Sequence, residues 1–446
     1  MKFGGVIYDN EFLANTYPQG LRSETFTASY SYNPISTDLV NLKVNLYRNN
    51  VTMNYDSTPL ISNGGGSAGR EIDDESMGFD VTNVSKFNLG GVRVSSQYGY
   101  EYFFDDVDVI NSTTQPGYGV NPSGESSIQG VFSETTFSYG IFDLIGGLRY
   151  DRFKVDGQGS VGPGNPLGMP PGPYVVDVDE GRWNPKVTLA ATPWQWLQPY
   201  VTYAEAFRAP TVSELLTGGV HPATGGPPMF FSPNPFLEPE ISKGWEFGAN
   251  IFVDGLLTRD DRFRFKANYY KQDVENYVTA CFSPTGQVFY CNNAGTSDVQ
   301  GVEIEGNYDA GYVFAGIAYT YTDSDLPPQI NGFGAQSYLP DHVLTLTGGL
   351  RFLDERLVIG AKGYIVSEAY IGEINVAPGA HPFTDGYELL DLYASYKTDY
   401  NTTLGVTVTN VFDRAYTPEL STGASGGFTG DTGRGRTALF TLRSQF

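Results

Sequence analysis

The chain has 446 residues, with 27 Lys and Arg against 50 Asp and Glu and a formal net charge of -23. That balance excludes the basic footprint of a nucleic-acid binder, and the lack of any run of about 18 apolar residues excludes a transmembrane helix. Gly at 54, Pro at 27, Tyr at 31 and Phe at 29, beside 5 Met, describe frequent turns and abundant aromatic residues.

Alternation starts early and recurs to the end. Leu42, Val44 and Leu46 alternate with Lys43, Asn45 and Tyr47. Trp245, Phe247, Ala249 and Ile251 alternate with Glu246, Gly248 and Asn250. In Arg262–Tyr269 the residues Phe263, Phe265, Ala267 and Tyr269 face away from Arg262, Arg264, Lys266 and Asn268. Leu344, Leu346, Leu350 and Phe352 alternate with Thr345, Thr347 and Arg351. The closing stretch puts Ala438, Phe440, Leu442 and Phe446 on one side and Thr437, Thr441, Arg443 and Gln445 on the other, with Leu439 the exception. A period of two is that of a strand with one apolar and one wet face; a helix would space its apolar residues three and four apart.

The connections alternate as well. Short turns are expected near 33–37, 89–91, 139–141, 193–196, 254–261, 309–311, 353–355 and 397–401. Long Gly-, Pro-, Ser- and Asn-rich loops are expected near 9–22, 53–79, 105–126, 156–174, 208–239, 274–298, 322–340, 366–384 and 412–433. A sandwich or propeller has no reason for that pattern, whereas an outer-membrane barrel has short turns on one side and long loops on the other. The fold class expected is therefore all-β, a transmembrane antiparallel barrel of about 17 or 18 strands. A spanning strand needs only about 9 to 11 residues. No paired histidine cluster or phosphate-binding glycine loop suggests an enzyme. The acidic runs Asp73, Asp74, Glu75 and Asp105, Asp106, Asp108 are expected as solvated parts of outer loops.

Several stretches are specific. Trp183-Asn-Pro-Lys186 leads into Tyr200–Pro210, with Phe207-Arg208-Ala209-Pro210 followed by Glu214-Leu215 and then Asn234-Pro235-Phe236-Leu237-Glu-Pro-Glu240. Further on stand Gln300–Gly306 with Tyr308-Asp309, Leu389–Leu392, Val408–Asp413 and Gly433–Thr437. This set resembles the TonB-dependent outer-membrane receptors and, within them, the haem and haemoglobin receptors. The Phe207–Pro210 and Asn234–Leu237 boxes resemble the pair that frames one outer loop there, with Phe236 where the family usually has Asn.

The resemblance implies a 22-stranded barrel closed by an N-terminal plug, of which residues 1–446 would be the C-terminal barrel portion. The start Met1–Tyr8 shows no export signal core. The plug, the TonB-contacting segment and the first strands are then expected to be missing; a free-standing smaller barrel is the alternative. Nine strands are expected after the framed loop. The resemblance also implies that His221 supplies an axial ligand to haem iron, since neutral imidazole is a good donor that brings no charge. Met229, Phe230 and Phe231 are candidate apolar walls, with packing against a neighbouring loop or contact with a protein partner as the alternatives, and Arg208 and Glu214 are expected to brace the loop base. His381 is a lesser ligand candidate and His342 a structural or interfacial residue. In an exported loop Cys281 and Cys291, ten apart, are expected to form a hairpin disulfide worth a few kcal/mol, with no metal site beyond haem iron. The terminal Phe446 resembles the residue read during membrane insertion.

The expected function is TonB-dependent uptake of haem or haem-protein iron in the outer membrane of a Gram-negative bacterium, by a monomer with no intrinsic cofactor. Its partners would be membrane lipid, haem or a haem carrier, and the TonB system through the missing segment. A receptor for a ferric siderophore or other nutrient and a passive porin-like barrel are the alternatives.

Overall fold

A computed structural model of the chain describes residues 1–14, 17–55, 69–110, 121–162, 164–221, 229–327, 339–370, 383–418 and 432–445. Among these, eighteen long strands carry sheet pairing and six short ones lie in two small sheets. One five-residue helix, Val212–Leu216, joins them. Nine of the long strands precede Pro210 and nine follow it. The alternation in the sequence therefore converts into strands where it was read. Two compact units are built this way.

The first unit comprises residues 1–188, 204–243 and 274–296. Its strands Lys2–Ala14, Tyr17–Tyr32, Leu42–Tyr55, Glu71–Leu89, Val92–Ile110, Ser123–Tyr139 and Phe142–Val161 each pair antiparallel with the next. Leu46 opposes Phe79 and Phe79 opposes Tyr102, so one face carries an apolar row. One step along, Asn45 opposes Asp80 and Asp80 opposes Glu101, and Asn45 Nδ2 donates to Asp80 at 3.0 Å. The two faces suit lipid and water respectively. The tightest turns use glycine in the left-handed region, as at Gly90 with φ 61° between two strands.

The second unit comprises residues 189–203, 244–273 and 297–446. Register rows cross it in the same manner. Val313, Leu350, Ile359, Ala394, Val406 and Phe440 share one row. Gly316, Thr347, Lys362 and Asp391 share a row on the opposite face. Leu442 opposes Leu404 and Ala438 opposes Val408, so the apolar side of the closing strand is the one its sequence indicated. Phe446 lies outside the described residues. The turn before Arg262 is organised by Asp261, which is 1% exposed. Its carboxylate accepts N–H groups of Leu256, Leu257 and Thr258 at 2.6 to 2.7 Å and the Tyr308 hydroxyl at 2.9 Å.

Several segments expected as loops are strand instead. Strand Lys2–Ala14 and strand Tyr17–Tyr32 occupy most of 9–22. The acidic runs stand on paired strands, Asp73 opposite Asp108 and Glu75 opposite Asp106. The reason is physical. A strand that leaves the bilayer keeps its ladder hydrogen bonds, but both its faces now meet water and the apolar–polar alternation disappears.

Candidate functional site

Strand Leu197–Arg208 ends in the Phe207–Pro210 box, and the chain turns there into the helix. Thr211 is extended at φ -83° and ψ 164° and caps the helix: its Oγ1 accepts the Glu214 N–H at 3.2 Å, while the Glu214 carboxylate accepts the Thr211 N–H at 2.8 Å. Such a reciprocal cap satisfies two otherwise orphaned donors. A five-residue helix is far below the length that is stable alone, so packing must hold it. Leu215 is 0% exposed and Leu216 2%, and with Val212 they meet Phe153, Val155 and Val176 of the strand wall. Phe207 lies 5.9 Å from Phe153 ring to ring, and Ala209, Leu237 and Val278 join the same cluster. The seat for the helix is made by glycine. A Cβ on Gly157 would collide with Leu216 Cδ1.

A polar frame closes the base. Arg208 Nε and Nη2 donate to both oxygens of Glu240 at 2.7 and 2.6 Å, and Nη1 donates to Glu214 at 2.9 Å. Glu240 also accepts the Val278 N–H at 2.8 Å. Asn234 is buried and bonded through three groups: its N–H donates to Leu215 O at 3.1 Å, its Nδ2 to Tyr290 O at 2.8 Å, and its Oδ1 accepts the Phe236 N–H at 3.0 Å. Pro210 is buried, Pro235 half-buried and Leu237 buried. The residues of both boxes are thus set in one loop base. Phe236 points outward, 67% exposed.

Above the base, strand Gly219–His221 pairs antiparallel with Met229–Phe231, His221 opposite Met229. Phe231 in turn pairs in parallel with Val288 of strand Val288–Asn292, which pairs antiparallel with Val278–Phe282. Cys281 and Cys291 are joined, with Cα atoms 6.0 Å apart. Two outer connections therefore merge into one four-stranded sheet. Burial, then the charge of Glu214, pushes the Tyr290 phenol up to about 12. Of the expected apolar walls, Phe231 is 3% exposed and belongs to the interior, whereas Phe230 is 48% exposed and available.

Elsewhere, His342 stacks on Tyr321 at 5.0 Å, and its Nδ1 lies 2.9 Å from the Tyr319 hydroxyl. It belongs to an aromatic group of the kind found at membrane interfaces. His381 lies outside the described residues. In the Gln300–Gly306 box, Gly301 lies under the Tyr270 ring, where a Cβ would meet the phenol oxygen at 2.6 Å. Among the described residues no group of three or more His, Cys, Asp or Glu could hold a metal ion. Sequence reasoning missed Phe153, Val155 and Val176, and it gave Glu240, the end of the second box, no role of its own. Phe153 and Val155 carried a signal: they put consecutive apolar residues on a face that elsewhere bears Asp80 and Glu101.

The long strands, the two-faced register rows and the outer loop base define a membrane β-barrel of the receptor class. The family described as TonB dependent receptor-like, beta-barrel matches residues 3–411, and the chain belongs to that family. Barrels of this family are transport receptors, and the chain is an outer-membrane protein of the Gram-negative type. It is 26% identical to a hemin receptor of Yersinia enterocolitica over 61% of this chain and 39% of that protein. It is 23% identical to TonB-dependent heme receptor A of Haemophilus influenzae strain 86-028NP over 95% of this chain and 61% of that one. The chain thus spans about half the length of these relatives. Among solved structures, the hemophore receptor HasR of Serratia marcescens, in complex with its hemophore HasA and heme, is similar at a TM-score of 0.79 and 25% identity. That match covers 99% of this chain and 68% of the receptor.

Proposed function

We propose that this chain is the barrel of a TonB-dependent receptor that captures haem, free or on a carrier protein, at its outer loops. The observation that carries the reading is the loop base itself, on which strand Gly219–His221 is mounted between the two boxes. His221 is the candidate axial ligand, and Phe230 is an exposed aromatic group in the paired strand. Haem is cargo and not a resident cofactor, and the chain has no proposed enzymatic role. Entry would be driven by TonB acting on a plug segment, so the inward step is a property of the whole receptor. The hemin and heme receptors among its relatives support this reading over a ferric-siderophore receptor.

The test is haem titration of the purified barrel in detergent, followed at the Soret band, with His221→Ala beside it. Saturable binding weakened at least about tenfold in the variant is expected from loss of an axial ligand. Binding unaffected by the substitution removes His221 from the site. Binding of a ferric siderophore in place of haem would favour the other receptor reading, and stable single-channel conductance the porin-like one.

A further inference from the structure

Strand Gly219–His221 has only three residues, paired to the three of Met229–Phe231. A two-stranded hairpin of that size does not hold itself in water. Its support comes from the neighbouring outer connection. Phe231 pairs with Val288, the Ser232 N–H donates to Val288 O at 2.8 Å, and the Ser232 hydroxyl donates to Gln287. Asn234 Nδ2 donates to Tyr290 O. Asn292 holds the following limb twice, its Oδ1 accepting the Glu238 N–H at 2.9 Å and its Nδ2 donating to Glu238 O at 2.9 Å. The two residues that grip the limb, Tyr290 and Asn292, flank Cys291.

We infer that the hairpin of strands Val278–Phe282 and Val288–Asn292, locked by Cys281–Cys291, is the positioning element of the His221 strand, so that ligand capture depends on the oxidation state of this disulfide. Cys281 opposes Phe289 and Cys291 opposes Thr279, so the bond ties the two strands across a diagonal beside the gripping residues. With the bond intact, Tyr290 O and Asn292 are held where Asn234 and Glu238 need them. With it broken, the hairpin samples more conformations, the grip weakens, and the His221 strand loses its fixed register. The cysteines touch no ligand in this scheme; they act through Asn234, Glu238 and Ser232. The last step, control of capture, rests on the haem reading above, whereas the positioning step does not.

The experiment is hydrogen–deuterium exchange on the ligand-free protein, oxidised and reduced, followed by haem titration of both forms. Dithiothreitol supplies two electrons and two protons, leaves as its cyclic disulfide, and yields the thiols of Cys281 and Cys291; it is then removed under inert gas. Amides of 219–221 and 229–231 should exchange about tenfold faster after reduction, with strand Ser123–Tyr139 unchanged, as expected for local opening. Haem affinity should fall by about the same factor, and reoxidation should restore both. Cys281→Ser with Cys291→Ser should match the reduced form and ignore dithiothreitol. Asn234→Ala, with the disulfide intact, should loosen the same amides. Unchanged exchange on reduction overturns the positioning role. Faster exchange with unchanged haem affinity overturns the control of capture. If neither form binds haem, the haem reading fails, and exchange still decides the positioning role.

Discussion

Two outer connections of this protein are fastened in opposite ways. The base at 207–240 is filled mainly with apolar side chains around the buried Asn234, and is rimmed by Arg208 and its carboxylates. The base at 410–437 turns on one buried residue. Asn410, 3% exposed and left-handed at φ 49°, donates its N–H to Asp391 at 2.8 Å and its Nδ2 to the carbonyls of Arg414 at 2.8 Å and Arg434 at 3.2 Å. Its Oδ1 accepts the Arg414 N–H at 2.9 Å, and Asp413 accepts the Arg436 N–H at 2.7 Å. Apolar packing spreads stability over many contacts and can seat a foreign element, here a helix and a second hairpin. A polar clamp fixes its own loop and nothing more. The first base carries a second hairpin and the second carries none among the described residues.

Hollowing the first base is expected to have the largest effect. Leu215→Ala removes a fully buried side chain from the cluster that includes Phe153 and Val155 and should cost about 3 kcal/mol locally. Hydrogen exchange across Val212–Leu216 would then rise by about a hundredfold, with the Gly219–Phe231 hairpin loosening alongside. If only the helix responds, the base does not carry the hairpin. Next comes Asn410→Leu, which keeps the branching at Cγ but leaves the Arg414 and Arg434 carbonyls without their donor and puts a non-Asn residue at positive φ. About 2 kcal/mol is expected, confined to 410–416 and 432–437, with haem binding unchanged. A fall in haem affinity in that variant would mean the two bases are not independent.

Smaller effects separate rim from filling. Arg208→Met leaves Glu214 and Glu240, with side chains 12% and 13% exposed, facing each other without their cation. Because Arg208 is itself 42% exposed, solvent screens part of the loss, and about 1 to 2 kcal/mol is expected by urea titration in detergent. Gly157→Ala should cost about 1 kcal/mol, because the new methyl meets the end of the buried Leu216 side chain, which must turn aside.

The sequence carried the repetitive parts of this architecture well. Alternation in Leu42–Tyr47 and Thr437–Arg443 encodes face and strand at once, because both follow from a period of two. The two boxes were legible as well, since Phe207–Pro210 and Asn234–Leu237 are contiguous words, and both lie in one loop base. What stayed hidden is non-local. Asn234 and the Tyr290 carbonyl it holds are 56 residues apart, and neither neighbourhood names the other. The helix seat was also hidden, because a glycine such as Gly157 reads as a turn or a weak strand residue until Leu216 is seen against it. Strand length beyond the bilayer was lost for a simpler reason: the pattern that reveals a spanning strand exists only where one face meets lipid.

A last test sharpens the idea of the polar clamp with pH. Asp261 does in its turn what Asn410 does in the outer loop, gathering N–H donors around one buried side chain, but it carries a charge. Burial alone would push its carboxyl up; the N–H groups of Thr258 and Leu257, the Tyr308 hydroxyl and the Leu256 N–H outweigh that and hold it well below the usual 3.8. A depressed carboxyl stabilises the folded turn above its unfolded value, and that contribution is lost as pH falls through the folded one. Protection factors at Leu256–Thr258 should therefore be flat from neutral pH down to about pH 4 and drop below it. The bonds of the Asn410 side-chain amide to Arg414 and Arg434 do not titrate, so the protection they give the Arg414 amide should persist over the same range. Asp261→Asn should lower protection in the turn at neutral pH and flatten its acid response. An equal acid response in the variant would assign the effect to other carboxylates and leave Asp261 as one hydrogen-bond acceptor among several.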